Sequence, residues 1–258
     1  MKIDVYIGDI KGLINNSAKQ KEYLDDLSDY RRKKAEKLKS ENGKALSLGV
    51  GYLLKTALGD YGLNEKELEY GFSENGKPYL LDYPEICFNL SHSHSRVMCA
   101  ISKDIKLGCD VELVRSGKEK VAKRFFTEYE NKKISEAADE EERARRFFEI
   151  WTLKESFIKC TGEGIARPMD GFEFRKRNGI YKVYIAEEKS ESNDEKTIEN
   201  VNSSKYGRKY ALDKNYKFAS FDNADGLDSD ENGERYLYAL CYEAKNEKNI
   251  VNFAKCFL

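Results

Sequence analysis

A chain of 258 residues with 40% hydrophobic and 12% aromatic side chains can bury a core, and it is long enough for two domains of ordinary size. Its 45 basic and 46 acidic residues nearly cancel, to a net charge of −1, which excludes nucleic acid as a partner drawn by bulk charge; any polyanion must be met by a local patch. No run of about 18 apolar residues occurs, so no membrane-spanning helix is expected, and the six cysteines lack CxxC pairs, which argues for reduced thiols in the cytoplasm over a zinc site or disulfide framework.

The opening MKIDVYIGDI alternates as a strand, with Asp4 inside it, and lacks the basic start and long apolar stretch of a signal peptide. Residues 17–58 have helical composition. Ser28 and Asp29 can cap a helix through Arg31 and Lys34, with Leu38 on its apolar side. In residues 44–58, Leu46, Val50, Leu53, Leu54 and Ala57 fall at helical spacing. Asn75-Gly76-Lys77-Pro78 is a turn signal. Residues 86–90 and 97–101 read as buried strands around a Ser91-His92-Ser93-His94-Ser95 loop.

A second cycle begins at Leu107. Residues 107–114 read as a strand, 124–138 as helical, and 143–160 as a stronger helix ended by Gly162 and Gly164. Strands follow at 172–174, 181–185, 218–221 and 236–242. Residues 187–205 are almost wholly Glu, Lys, Ser, Asn and Asp, which predicts a mobile polar insertion spanning about 187–212; residues 223–234 form a second polar, acidic loop. The order strand, helices, strands, taken twice, predicts an α+β protein with two similar α/β halves, residues 1–105 and 106–258. No strong internal sequence repeat accompanies that order.

Asp110 and Glu112 lie two apart on a strand, so both side chains leave the same face. Two carboxylates held together repel unless a cation lies between them, and hard oxygen ligands of this kind suit Mg²⁺. Acidic residues alternating on a solvent-facing strand give the same pattern. On the helix over 143–160, Trp151, Glu155 and Lys159 are spaced by four and line one ridge, with Lys154 beside it and Phe147, Ile150, Leu153 and Phe157 as a candidate buried face. A carboxylate flanked by lysines can join a metal and a phosphate, or form an ordinary Glu155–Lys159 ion pair worth a few tenths of a kcal/mol. His92 alone reads as a solvated turn residue, His94 as a bystander, and residues 31–39 as a basic solvated face. A Ser/His/Asp hydrolase is excluded by the lack of a nucleophile elbow.

In combination, Gly108-Cys-Asp-Val-Glu112, Phe126-Thr-Glu-Tyr-Glu130 and Trp151-Thr-Leu-Lys-Glu-Ser-Phe-Ile-Lys159 resemble the motifs of the 4′-phosphopantetheinyl transferases. Upstream, Gly76-Lys-Pro78 and Asn89-Leu-Ser-His-Ser93 match as well, so the resemblance runs from about residue 31 to 168. It points to the larger, surfactin-type class, in which one chain forms two halves related by pseudo-two-fold symmetry. The resemblance implies Asp110, Glu112 and Glu155 as ligands of Mg²⁺, with Mn²⁺ as a substitute. It places Lys159, Ser91, His92 and Lys77 at the phosphates of coenzyme A, and Arg31, Lys34 and Ser47 at its nucleotide portion. The implied reaction moves the phosphopantetheine arm of coenzyme A to a serine hydroxyl of an apo carrier protein and releases adenosine 3′,5′-bisphosphate. Glu155 or a metal-activated water is then the base, with Glu130 as a helper. Coenzyme A would lie between the halves of a monomer, with no nucleic-acid or membrane partner. Two departures are Cys109, where the motif has an aliphatic residue, and the length of the charged insertion. A non-catalytic module binding coenzyme A and carrier protein, and a Mg²⁺-dependent nucleotide phosphohydrolase, are the alternatives.

Overall fold

The computed structural model describes residues 2–187, 208–222, 233–245 and 250–257. Most of the polar insertion expected at 187–212, and most of the acidic loop, lie outside the described residues. β1 (Lys2–Asp9) leads into α1 (Ser17–Asp25), α2 (Asp29–Glu36) and α3 (Glu41–Gly59), then a short hairpin of β2 (Tyr70–Phe72) and β3 (Pro78–Leu80), then a longer one of β4 (Ile86–Ser93) and β5 (Arg96–Lys103). The order recurs with β6 (Leu107–Leu113), α4 (Glu119–Phe125), α5 (Glu128–Ser135) and α6 (Glu140–Thr161), followed by β7 (Phe172–Arg177), β8 (Ile180–Ala186), β9 (Tyr210–Asp213), β10 (Tyr216–Asp222) and β11 (Tyr236–Glu243). β12 (Ile250–Phe257) comes last. The fold is mixed α+β, as the element order in the sequence predicts.

Local chemistry sets the boundaries. Ser28 caps α2 by accepting from the Arg31 backbone N–H, and Ser40 caps α3 through Gly43. The expected helix over 124–138 is instead two. Thr127 adopts extended backbone (φ −68°, ψ 165°), and its hydroxyl and the Glu130 carboxylate satisfy each other's backbone N–H groups. That exchange starts a new helix where the old one would have continued. α6 begins behind the Asp139 cap, with Glu140, Glu141 and Glu142 at the positive end of its dipole, and ends at Gly162 in the left-handed conformation (φ 76°). The expected Ser91–Ser95 loop is also corrected: β4 continues through Ser93 and the turn is confined to His94 (φ 53°) and Ser95. The end of the expected insertion is a strand as well, because Tyr210 and Leu212 half-bury themselves where β9 pairs with β8.

One sheet has the order β12-β1-β5-β4 and a second the order β10-β11-β6. β12 pairs in parallel with β1, so the end of the chain returns to the sheet of the first half. Ile3, Val5, Ile7, Met98 and Ala100 from the first sheet share a core with Leu107, Cys109, Val111, Tyr238 and Leu240 from the second. The opposite face of the first sheet, through Tyr6, Cys99 and Ile101, packs on Leu53, Leu54 and Leu58 of α3. α6 covers the far side of β6 and β11. β5 is therefore buried on both faces, which explains why its sequence runs apolar instead of alternating. The two sheets come together along one edge, where β4 meets β6.

Candidate active site

That edge is joined by side chains. On β4 every second residue reaches β6: the Cys109 N–H donates to Asn89 Oδ1 at 2.8 Å, the Val111 N–H to Ser91 Oγ at 3.3 Å, and the Leu113 N–H to Ser93 Oγ at 3.2 Å. The two serine hydroxyls pass their own protons on, Ser91 to Asp110 Oδ1 and Ser93 to Glu112 Oε2, each at 2.7 Å. The period of two on both strands makes this matching possible.

α6 lies against the same stretch of β6 because residue 108 is glycine. A β-carbon there would sit 2.2 Å from the Ser156 carbonyl oxygen and 2.3 Å from the Cys160 nitrogen, both backbone atoms. The close approach brings Lys159 Nζ to 2.6 Å from Asp110 Oδ1 and 3.2 Å from both Ser91 Oγ and the Cys109 carbonyl. Lys159 thus pairs with Asp110, and the helix ion pair with Glu155 that spacing alone suggested does not form. Burial by itself would weaken the Lys159 ammonium, but Asp110 more than offsets it and its pKa is raised. Glu155 is pushed above the ordinary carboxylate range by burial, then by Asp110 and, more weakly, Glu112. Burial also raises Glu112, with Asp110 adding to it and the Ser93 hydrogen bond opposing.

Among the described residues, no three His, Cys, Asp or Glu side chains converge closely enough, as they stand, to hold a metal ion. The donor set nevertheless suits a hard divalent cation. Asp110 Oδ2 is buried without a hydrogen-bond partner, and the Asp110 carboxylate raises the proton affinity of both Glu155 and Glu112 beside it. A buried acceptor left unpaired costs about 1–3 kcal/mol, which an oxygen-seeking cation would relieve.

Beside the carboxylates opens a cleft of ≈ 630 Å³, lined by Lys77, Pro78, Asn89 and Leu90 from the first half and by Trp151, Glu155, Lys159 and Met169 from the second. Arg124, Phe125, Arg167 and Pro168 also line it. Sequence reasoning passed over these four; Arg124 and Phe125 directly precede the Phe126–Glu130 motif, whereas Arg167 and Pro168 carry no spacing signal. His92 is exposed; partial desolvation, then the Lys159 and Lys34 ammoniums, lower its pKa. Arg31 is only 2% exposed, its guanidinium lies over the Tyr30 and Tyr70 rings, and its Nε and Nη2 have no hydrogen-bond partner. Burial, then Arg31, lowers the pKa of Lys34. Ser47 Oγ is likewise buried and unpartnered. Arg31 and Lys34 are neighbouring positive charges on α2, and Lys34 and Lys159 both lie close enough to His92 to depress its pKa.

Three expected site residues are engaged elsewhere. Lys77 Nζ donates to the carbonyls of Leu107 (3.0 Å) and Lys159 (2.6 Å), so its ammonium caps the negative end of α6 while its side chain lines the cleft. Its neighbour Asn75 donates to the Gly162 carbonyl at 2.8 Å, strapping the β2–β3 turn to the same helix end. Glu130 is 0% exposed and accepts from the backbone N–H groups of Thr127 (3.0 Å) and Phe174 (2.9 Å) and from Lys154 Nζ (2.9 Å). Lys154 donates in addition to the Met169 and Phe172 carbonyls, so it does not flank Glu155 on the open ridge. Glu130 and Lys154 tie α5 and α6 to β7. Ser91 spends its hydroxyl proton on Asp110, which makes it a holder of that carboxylate.

A sequence profile of the 4'-phosphopantetheinyl transferase superfamily matches residues 106–213, the stretch containing β6, α6 and the carboxylates. A 4'-phosphopantetheinyl transferase of Bacillus subtilis is 35% identical over 127 residues, covering 49% of this chain and 56% of that protein. The 4'-phosphopantetheinyl transferase Sfp of Bacillus subtilis strain 168 is 36% identical over 115 residues, covering 45% and 50%. The 4'-phosphopantetheinyl transferase HetI of a Nostoc species is 36% identical over 133 residues, covering 49% and 55%. The chain thus spans about half the length of the curated relatives it matches. The region that carries Asp110, Glu112, Glu155 and Lys159 is similar in sequence to the 4'-phosphopantetheinyl transferase superfamily.

Proposed function

We propose that this protein transfers the 4′-phosphopantetheine arm of coenzyme A to a serine hydroxyl of an apo carrier protein and releases adenosine 3′,5′-bisphosphate. The observation that carries the reading is the buried, unpartnered Asp110 Oδ2 beside Lys159, which itself lines a cleft together with Glu155. Asp110, Glu112 and Glu155 would hold Mg²⁺, or Mn²⁺ in its place, and the ion would neutralise charge on the coenzyme A pyrophosphate. Lys159 adds a fixed positive charge at the same point, prepaid by its bond to Asp110. Arg31, Lys34 and His92 receive the nucleotide phosphates, and Ser47 offers a hydroxyl on the neighbouring helix. The carrier serine attacks the β-phosphorus, the bond to the bridging oxygen breaks, and the bisphosphate leaves. The serine proton passes to Glu155 or to a water activated beside it. Residues of both halves line the cleft, so one copy of the chain suffices. Among the described residues no helix is long and apolar enough to cross a membrane, and we assign the activity to the cytoplasm.

Incubation with Mg²⁺, coenzyme A and several apo carrier proteins tests the reading. Carrier modified by one phosphopantetheine arm supports it. Coenzyme A cleaved without modified carrier would instead establish a phosphohydrolase, and coenzyme A bound but intact a non-catalytic module.

A further inference from the structure

We propose that Ser93 is a positioning residue for Glu112, so that β4 of the first half sets the geometry of the carboxylates carried by the second. The inference rests on the metal-binding reading of Asp110, Glu112 and Glu155.

A serine hydroxyl has one proton to give and two lone pairs to accept with. At Ser93 the Leu113 backbone N–H, fixed by the strand, occupies a lone pair at 3.2 Å. That leaves the hydroxyl proton directed at Glu112 Oε2, 2.7 Å away. The contact is charge-assisted and part-buried, with Ser93 only 9% exposed. Glu112 has little else to hold it. Its ion-pair partner Arg115 stands at 4.0 Å with a side chain 58% exposed, where screening leaves such pairs weak. With Ser93 attached to Oε2, Oε1 is the oxygen left to face a cation.

Two residues earlier the same device acts on Asp110. Ser91 accepts from the Val111 N–H and donates to Oδ1, and Oδ2 is the oxygen left bare. Each carboxylate on β6 is therefore turned by a serine on β4 that is itself aimed by the β6 backbone. Ligating carboxylates held by outer hydrogen bonds typically lose about 10–100-fold in metal affinity when the outer partner is removed. Ser93 lies outside the stretch that matches the superfamily profile, so the orienting groups come from β4 and not from the matched region.

The test uses the full chain with Ser93→Ala, Ser93→Val and Ser93→Thr, and measures Mn²⁺ affinity from the free-ion electron paramagnetic resonance signal without coenzyme A. Threonine keeps the hydroxyl and valine replaces it with a methyl of equal size, so that pair reads the hydrogen bond even if packing shifts in the alanine variant. The expected result is about tenfold weaker Mn²⁺ binding for Ala and Val and less than about twofold change for Thr. The Mg²⁺ concentration for half-maximal transfer should move in parallel while the KM for coenzyme A stays fixed. Wild-type affinity in both Ala and Val overturns the inference and leaves the metal reading standing. Failure of the wild-type chain to bind Mn²⁺ overturns both.

Discussion

Gly108 offers the sharpest test of how the site is assembled. In Gly108→Ala the new methyl would meet the Ser156 carbonyl oxygen at 2.2 Å, the Cys160 nitrogen at 2.3 Å and the Lys159 carbonyl carbon at 2.8 Å. Ordinary contacts are longer, so β6 and α6 must part by about 1 Å. None of the three atoms belongs to a side chain that could swing away. Overpacking typically costs about 1–3 kcal/mol, and a clash with backbone on a buried face belongs at the upper end, about 3 kcal/mol. For a chain of this size that corresponds to a midpoint lowered by roughly 10 °C in thermal unfolding followed by circular dichroism. Activity should fall further than stability, because the same displacement pulls Lys159 from Asp110; a 1 Å misplacement can cost about 100-fold in rate. Gly59→Ala is the control, since nothing lies within 4 Å of its added β-carbon. A Gly108→Ala variant that melts within about 1 °C of wild type and keeps its rate would refute the reasoning.

Other outcomes follow from the same geometry. Lys154→Met leaves Glu130 as an unpaired buried charge and should cost about 3–5 kcal/mol in urea unfolding. Adding Glu130→Leu removes that charge but also the capping box and the Phe174 N–H acceptor, so it should recover only part of the loss, with near-normal activity per folded molecule, whereas a dead but stable double variant would restore Glu130 to the chemistry. Lys159→Ala should raise the KM for coenzyme A about tenfold or more, the worth of one charged hydrogen bond, and unchanged kinetics would remove Lys159 from the site. His92 is one of only two histidines, so its imidazole proton signal can be assigned by substitution and followed by NMR. Its pKa in the fold is lowered, so any stability it contributes is complete above the ordinary histidine value and is lost as pH falls toward the folded one. Adenosine 3′,5′-bisphosphate should offset the nearby ammoniums and raise that pKa; no movement on saturation would take His92 out of the phosphate contacts.

The parts of this protein written in local period were legible without coordinates. Asp110 and Glu112 share a face because strands alternate, and Trp151, Glu155 and Lys159 share a ridge because helices repeat every 3.6 residues. Ser28 announces α2, as capping residues do. What stayed hidden depended on where a long side chain ends. Lys77, Lys154 and Lys159 look alike in sequence, yet one caps a helix end, one is buried against Glu130 and one sits on Asp110. A lysine stem can lie along apolar surface in any of these directions, and only the packed neighbours decide. The burial of Glu130 did have a local sign, the Thr127-x-x-Glu130 spacing of a capping box, which the motif reading absorbed as chemistry. Ser91 and Ser93 were placed in a loop because serine and histidine are turn-prone; the partner strand that straightens them is about twenty residues away. β12 was missed for a similar reason, since its parallel partner β1 lies at the opposite end of the chain.

The most direct test of the central claim is the intact mass of an apo carrier protein after reaction with coenzyme A and Mg²⁺, run side by side with wild-type protein and Asp110→Ala. The account predicts a gain of one phosphopantetheine arm on the carrier serine with the wild type, and none with the variant at saturating Mg²⁺, although the variant remains folded. Equal modification by both, or an unmodified carrier with coenzyme A intact in the wild-type reaction across several carriers, would contradict it.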